Sequence, residues 1–236
     1  MLTTIAWISL LIAFACALMI AADEVRRPQA MGIMNVVWPV TALYLSVFAL
    51  VGYFWFGRSK AGHEHHHEMS EDMNHGHGGH MAMRRRDPDW KQIAMAASHC
   101  GAGCVLGDVI SEFGIHAGRL TIFGSPLWAS YVIDLVAAWL LGILFQYYSI
   151  QPMRHLPPAQ ALGEAIKADT LSILSFQVGM YAWMALTYFV LFPAPHLTPM
   201  EPGFWLMMQI AMVCGFLTTA PMNQWLVRRG IKATMG

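Results

Sequence analysis

The chain has 236 residues, of which 56% are apolar and only 12% charged. Soluble domains carry about 45–50% apolar and about 25% charged residues, so this composition excludes an ordinary soluble domain and, over most of the length, low-complexity disorder. Fourteen Lys and Arg balance fourteen Asp and Glu, which leaves no basic excess for a phosphate backbone and excludes nucleic-acid binding. The four cysteines Cys16, Cys100, Cys104 and Cys214 are too few and scattered for a disulfide scaffold. The expected fold is all-α: a polytopic integral membrane protein.

A hydrocarbon core about 30 Å thick takes about 20 apolar residues in a helix, and six stretches qualify. Leu2–Ala22 is uncharged and lacks the positive leader of a signal peptide, so it is expected to be a retained helix. Met31–Gly57 follows, also uncharged, with Pro39 expected to kink it. These two spans make up residues 1–57.

Residues 58–91 form a polar insert. His63–Met83 reads HEHHHEMSEDMNHGHGGHMAM and holds His63, His65, His66, His67, His75, His77 and His80, seven of the chain's eleven histidines, beside Met69, Met73, Met81 and Met83. Nothing in it has a packable face, so it is expected to be a disordered loop in the absence of a ligand. Imidazole suits Zn, Cu and Ni, and thioether sulfur adds a preference for Cu(I). Such a loop captures or senses a metal more readily than it catalyses.

Residues 92–236 carry the remaining four spans. The third, Gln92–Gly107, runs on into Asp108 and Glu112. At 3.6 residues per turn, Cys100, Cys104, Asp108 and Glu112 share one stripe, and His99 lies about 100° away at its edge. Gly103 and Gly107 form a small-xxx-small pair suited to close helix packing. Ionisable residues inside a span are costly and mark ion paths, so His99, Cys100, Cys104, Asp108 and Glu112 are candidate metal ligands, together with the seven loop histidines. The fourth span, Pro126–Ile150, contains Asp134, for which Arg119 is the expected partner. Asp169 and Glu164 are expected at an interfacial helix entry. In the fifth span, Thr170–Met200, one face carries Gln177, Met180, Tyr181 and Met184. The sixth, Pro202–Val227, carries Met208 and Met212 and a proline, Pro221, that frees backbone carbonyls.

With both termini in the cytoplasm, eleven Lys and Arg fall inside and three (Arg26, Arg27 and Arg119) outside, an asymmetry that obeys the positive-inside rule. A multi-pass protein with both termini and the insert in the cytoplasm is therefore expected.

Three motifs, SHCGAGC-x-LGD (Ser98–Asp108), MNVVWPVTALY (Met34–Tyr44) and PMNQWLVRRGIK (Pro221–Lys232), together resemble an uncharacterised bacterial family of multi-spanning membrane proteins, known only as a domain of unknown function. The resemblance implies a compact membrane domain and no activity.

Function is therefore read from the residues. Thiolate with imidazole favours Cu(I), then Zn(II), which makes a transition-metal transporter, or a membrane protein that handles metal, the first expectation. Asp108 and Glu112 would take the protons that thiols release on binding. No phosphate-binding G-x-x-x-x-G-K-[ST] is present, so transport would draw on a gradient or a partner. The expected partners are lipid, the metal ion, a cytoplasmic metallochaperone and a second copy of the chain. The alternative is a thiol-disulfide oxidoreductase in which Cys100 and Cys104 pass electrons to a quinone. Its weakness is that redox pairs normally use C-x-x-C. A haem held by His99 and His116 is disfavoured, because both lie on or near one helix and cannot oppose each other across a porphyrin.

Overall fold

A computed structural model describes residues 1–29, 31–59, 89–154 and 157–232. The seven loop histidines, His63 to His80, lie outside the described residues. Among those described, the chain is helical throughout, with a lone β-bridge between Ile122 and Ser125. The helices are α1 (Leu2–Arg26), α2 (Met34–Leu45), α3 (Val47–Gly52, prolonged by the π turn Tyr53–Gly57), α4 (Trp90–Gly118), α5 (Pro126–Arg154), α6 (Pro158–Leu186, prolonged by the π turn Thr187–Leu191) and α7 (Pro202–Arg228). Five of them, α1, α4, α5, α6 and α7, are long and apolar enough to cross a membrane.

The stretch expected to be a second span is instead a helical hairpin. α2 runs unbroken through Pro39 and stops at Ser46, whose φ of 48° and ψ of −119° turn the chain. α3 then returns alongside α2. Trp38 packs edge-on against Tyr53 and Phe56, with ring centroids 5.6 and 5.7 Å apart. The Trp38 ring also lies where a side chain on Gly57 would have to go. In a continuous helix these residues would stand about 25 Å apart at about 1.5 Å per residue. The hairpin closes where it began. Arg58 grips Asp23 at the end of α1 with two hydrogen bonds of 2.8 and 2.5 Å, Tyr53 donates to the same carboxylate at 2.9 Å, and Gln29 donates to the Gly57 carbonyl at 3.0 Å.

This fold-back leaves five candidate spans where six were expected. Leu2 reaches toward Gly203 at the start of α7, and Ser9 donates to Gln209 at 2.7 Å, so α1 and α7 run parallel. α4, α5, α6 and α7 follow one another antiparallel through short links. Met1 therefore stands with Arg119 at one end of the bundle. Arg26, Arg58, Trp90 and Lys232 stand at the other, so Met1 and Lys232 are at opposite ends of the bundle.

α4 is the central helix. Of its most apolar window 67% is buried, against 22% for α1. It starts on a capping box, Asp89 with Gln92, and ends at Arg119 in the left-handed conformation (φ 50°). Gly103 and Gly107 do the packing the sequence assigns to them. A Cβ on Gly103 would come within 3.0 Å of the Gly142 backbone, and one on Gly107 within 2.7 Å of the Ala138 nitrogen. α5 answers with its own small pair four residues apart, so the two backbones touch. α6 and α7 are joined by reciprocal bonds: Ser175 Oγ donates to the Thr218 carbonyl at 2.9 Å, and Thr218 Oγ1 to the Ser175 carbonyl at 2.8 Å. α5 and α6 are joined by Tyr131 and Tyr181, which stack at 4.1 Å while each hydroxyl donates to the other's carbonyl at 2.6 Å.

Candidate functional site

Along α4 the side chains of Cys100, Cys104, Asp108 and Glu112 are all buried and follow one another at one-turn intervals. The column is about 18 Å long at about 1.5 Å per residue. It begins near mid-bundle and climbs toward the Arg119 end. The stripe read from the sequence is thus a continuous buried feature.

Each step of the column meets different company. Beside Cys100 and Cys104 stands Tyr44, from the last turn of α2. Its hydroxyl is accommodated only because residue 101 is glycine, since a Cβ there would lie 2.5 Å from it. That hydroxyl is buried beside Thr41 and, among the described residues, has no partner within hydrogen-bond distance. The hairpin turn at Ser46 thereby brings a helix end into the middle of the bundle. Of the carbonyls this end leaves free, that of Leu43 is taken by Gln209 Nε2 at 2.7 Å. Asp108 is fully buried and, among the described residues, neither of its oxygens has a partner within hydrogen-bond distance. Gln177 of α6 lies beside it, and the Gln177 amide is likewise unpartnered. Next comes a three-residue cluster. Ser111 donates a hydrogen bond to Asp134, and Glu112 lies against Ser130 and Asp134. Asp134 thus finds Ser111 and Glu112 across the α4–α5 interface where Arg119 had been expected. Arg119 lines a separate cavity of about 400 Å3 at its own end of the bundle, with Glu112, His116 and His196 in its wall.

His99 leaves the column. It is fully buried and turns toward α5, with Nε2 3.5 Å from Ser149 Oγ, its ring edge-on to Phe145 at 6.0 Å and Nδ1 unpartnered. Beyond it lies a group that sequence reading missed. Asp169 was expected at the interface, yet it is fully buried and paired with Lys232 at 2.9 Å. Lys232 Nζ also donates to Asn223 Oδ1 at 3.1 Å and Ser172 Oγ at 3.3 Å, so its three N–H groups have three acceptors. A lysine in the polar stretch after α7 carried no signal of burial. The only hint was the Asn223 that follows Pro221.

Among the described residues, no three His, Cys, Asp or Glu side chains converge on a point where a metal ion could sit. What α4 does present is two free buried thiols one turn apart, with a carboxylate a further turn along. Two thiolates suit a soft ion that accepts low coordination, whereas Zn(II) in a structural site wants four ligands.

No curated protein and no solved structure matches the chain. A family model does, over residues 89–232, from the cap of α4 to the buried Lys232. α1 and the hairpin, with the Met34–Tyr44 motif, lie outside the matched residues. On that match the chain belongs to the family described as a domain of unknown function, DUF4396.

Proposed function

We propose that the chain is a bacterial inner-membrane carrier of a soft transition-metal ion, Cu(I) ahead of Zn(II), with five crossings and one re-entrant hairpin. The column on α4 carries this reading, because two thiols and two acids are buried at successive turns of the most enclosed helix. Cys100 and Cys104 would take the ion as a dithiolate. The protons they lose go to Asp108 and Glu112, since ligation requires deprotonated sulfur. Glu112 also lines the 400 Å3 cavity at the Arg119 end, which gives the acids a route to that side. Polar groups within a membrane are tolerated where they line a path and meet one another, and broken helices near mid-membrane are a recurrent feature of carriers.

Orientation follows from the fold-back. Counted by the helix ends to which they attach, every Lys and Arg except Arg119 belongs to the Lys232 end. The positive-inside rule makes that end cytoplasmic, and the asymmetry is steeper than with six spans. The histidine-rich insert is then cytoplasmic and available to load the carrier, and Met1 faces outward. A cysteine introduced near Asn74 should resist an impermeant thiol reagent in intact cells, while one at Gly118 should react.

The test of the carrier is metal flux in proteoliposomes. Cys104→Ser should abolish Cu(I) movement and Asp108→Asn should change its pH dependence. His75→Ala should do little, because the loop has other imidazoles to substitute. Equal flux in all three would leave α4 as packing alone. The oxidoreductase alternative has less support: α4 is unbroken through both cysteines, which holds their Cα atoms about 6 Å apart, at the margin of a disulfide.

A further inference from the structure

A cavity of about 350 Å3 opens between α1, the hairpin tip, α4 and α7. This is the size of a small-molecule site. Its wall is aromatic, with Trp7, Tyr44, Phe113 and Trp205, and its only charged lining groups among the described residues are two acids, Asp108 and Glu201. Trp7 and Phe113 are 54% and 44% exposed, so the mouth opens on the outer surface of two helices long and apolar enough to cross a membrane. Trp205 is held in place, its indole N–H donating to the Pro199 carbonyl at 2.8 Å. At the inner end sits Asp108, fully buried, with both oxygens unpartnered.

We propose that this cavity binds a lipophilic organic cation, an aryl- or alkylammonium that enters sideways from the bilayer and places its charge on Asp108. A buried carboxylate with no partner is costly, and a cation that reaches it removes that cost. Indole and phenyl faces attract the same cation and not a neutral molecule of equal shape. An acyl chain fills such a groove but leaves the carboxylate as it was. A bare metal ion meets the carboxylate but not the aromatic wall. The site shares Asp108 with the metal route and does not depend on it, because binding is measured with no metal present.

The experiment uses the full chain in detergent with a chelator and follows tryptophan fluorescence. Benzyltrimethylammonium is titrated against neopentylbenzene, its uncharged carbon isostere. The ammonium should quench saturably and bind at least tenfold more tightly than the isostere. Asp108→Asn should abolish that preference while leaving the isostere's binding unchanged, and Trp205→Leu should weaken the ammonium several-fold. Equal affinity for the two probes in the parent chain makes the cavity an acyl-chain groove and overturns the proposal, whether or not the variants fold. Retained preference in a folded Asp108→Asn chain overturns it equally.

Discussion

Asp169 and Asp108 are both fully buried aspartates inside the helix bundle, and their surroundings are opposite. Asp169 is held by Lys232, whose other two N–H groups go to Ser172 and Asn223, so three elements close around one charge pair. Asp108 has the Gln177 amide beside it, thiols a turn away and, among the described residues, no cation paired with either oxygen. A buried charge survives when it is paired and hydrogen-bonded. The first site is therefore built to hold the bundle together, and the second is left in need of a proton or a cation. On the proposed reading, the matched acid of this family domain serves structure and the unmatched one serves function.

If that contrast is right, the largest stability loss in the molecule should come from the matched pair. Lys232→Met leaves the Asp169 carboxylate buried without its cation, at a cost of about 3–5 kcal/mol. Thermal unfolding in detergent should show it, and adding Asp169→Asn should recover most of the loss. A loss under about 1 kcal/mol for the single change would mean that water reaches Asp169, and the contrast would dissolve.

The next effect tests whether α4 is held as tightly as a rigid column requires. Gly107→Ala pushes a methyl against the Ala138 backbone, so it should destabilise by about 1–3 kcal/mol. Gly114→Ala, on the same helix with open space around it, should instead be neutral or gain about 0.5–1 kcal/mol from helix propensity. Similar melting for the two variants would show that α4 and α5 do not touch at Gly107.

A smaller gain is expected at the hairpin tip. Ser46 sits at φ 48°, ψ −119°, a region that suits glycine and costs other residues about 1–3 kcal/mol. Ser46→Gly should raise stability by about 1 kcal/mol, measured by the same unfolding. A loss there would place the turn elsewhere.

How much of this could be read in advance depends on whether the cue was local. The α4 stripe and the Gly103/Gly107 pair are periodic over a few turns, so spacing alone located them, and both are present as read. The five long helices were legible from apolar length. The hairpin was not: Met31–Gly57 has the length of a span, and hydropathy carries no direction. Its tip is a serine rather than a glycine or proline, so no breaker announced it. The evidence for the fold-back is tertiary, in Trp38 against Gly57 and Arg58 on Asp23. Lys232 and Asp169 are 63 residues apart, and neither shows its partner in its own neighbourhood. The side to which His99 turns was likewise set by α5 and not by α4.

The last test is the one with the least expected effect on stability and the most on function. Asp108→Asn keeps the shape of the side chain and replaces an acid that, among the described residues, no cation pairs. Unfolding should therefore change by less than about 1 kcal/mol in either direction, because no ion pair is lost and an amide can still meet the Gln177 side chain. The matching Asp169→Asn change strands Lys232 and should cost about 3 kcal/mol or more on its own. On the proposed carrier reading, the activities should rank the other way. Asp169→Asn chains that remain folded should keep the proton dependence of transport, whereas Asp108→Asn should lose it, since an amide cannot accept the proton a thiol gives up. Should Asp108→Asn prove as destabilising as Asp169→Asn, then Asp108 has a structural partner after all. The distinction between the two acids, and with it the assignment of α4 as the working helix, would then be wrong.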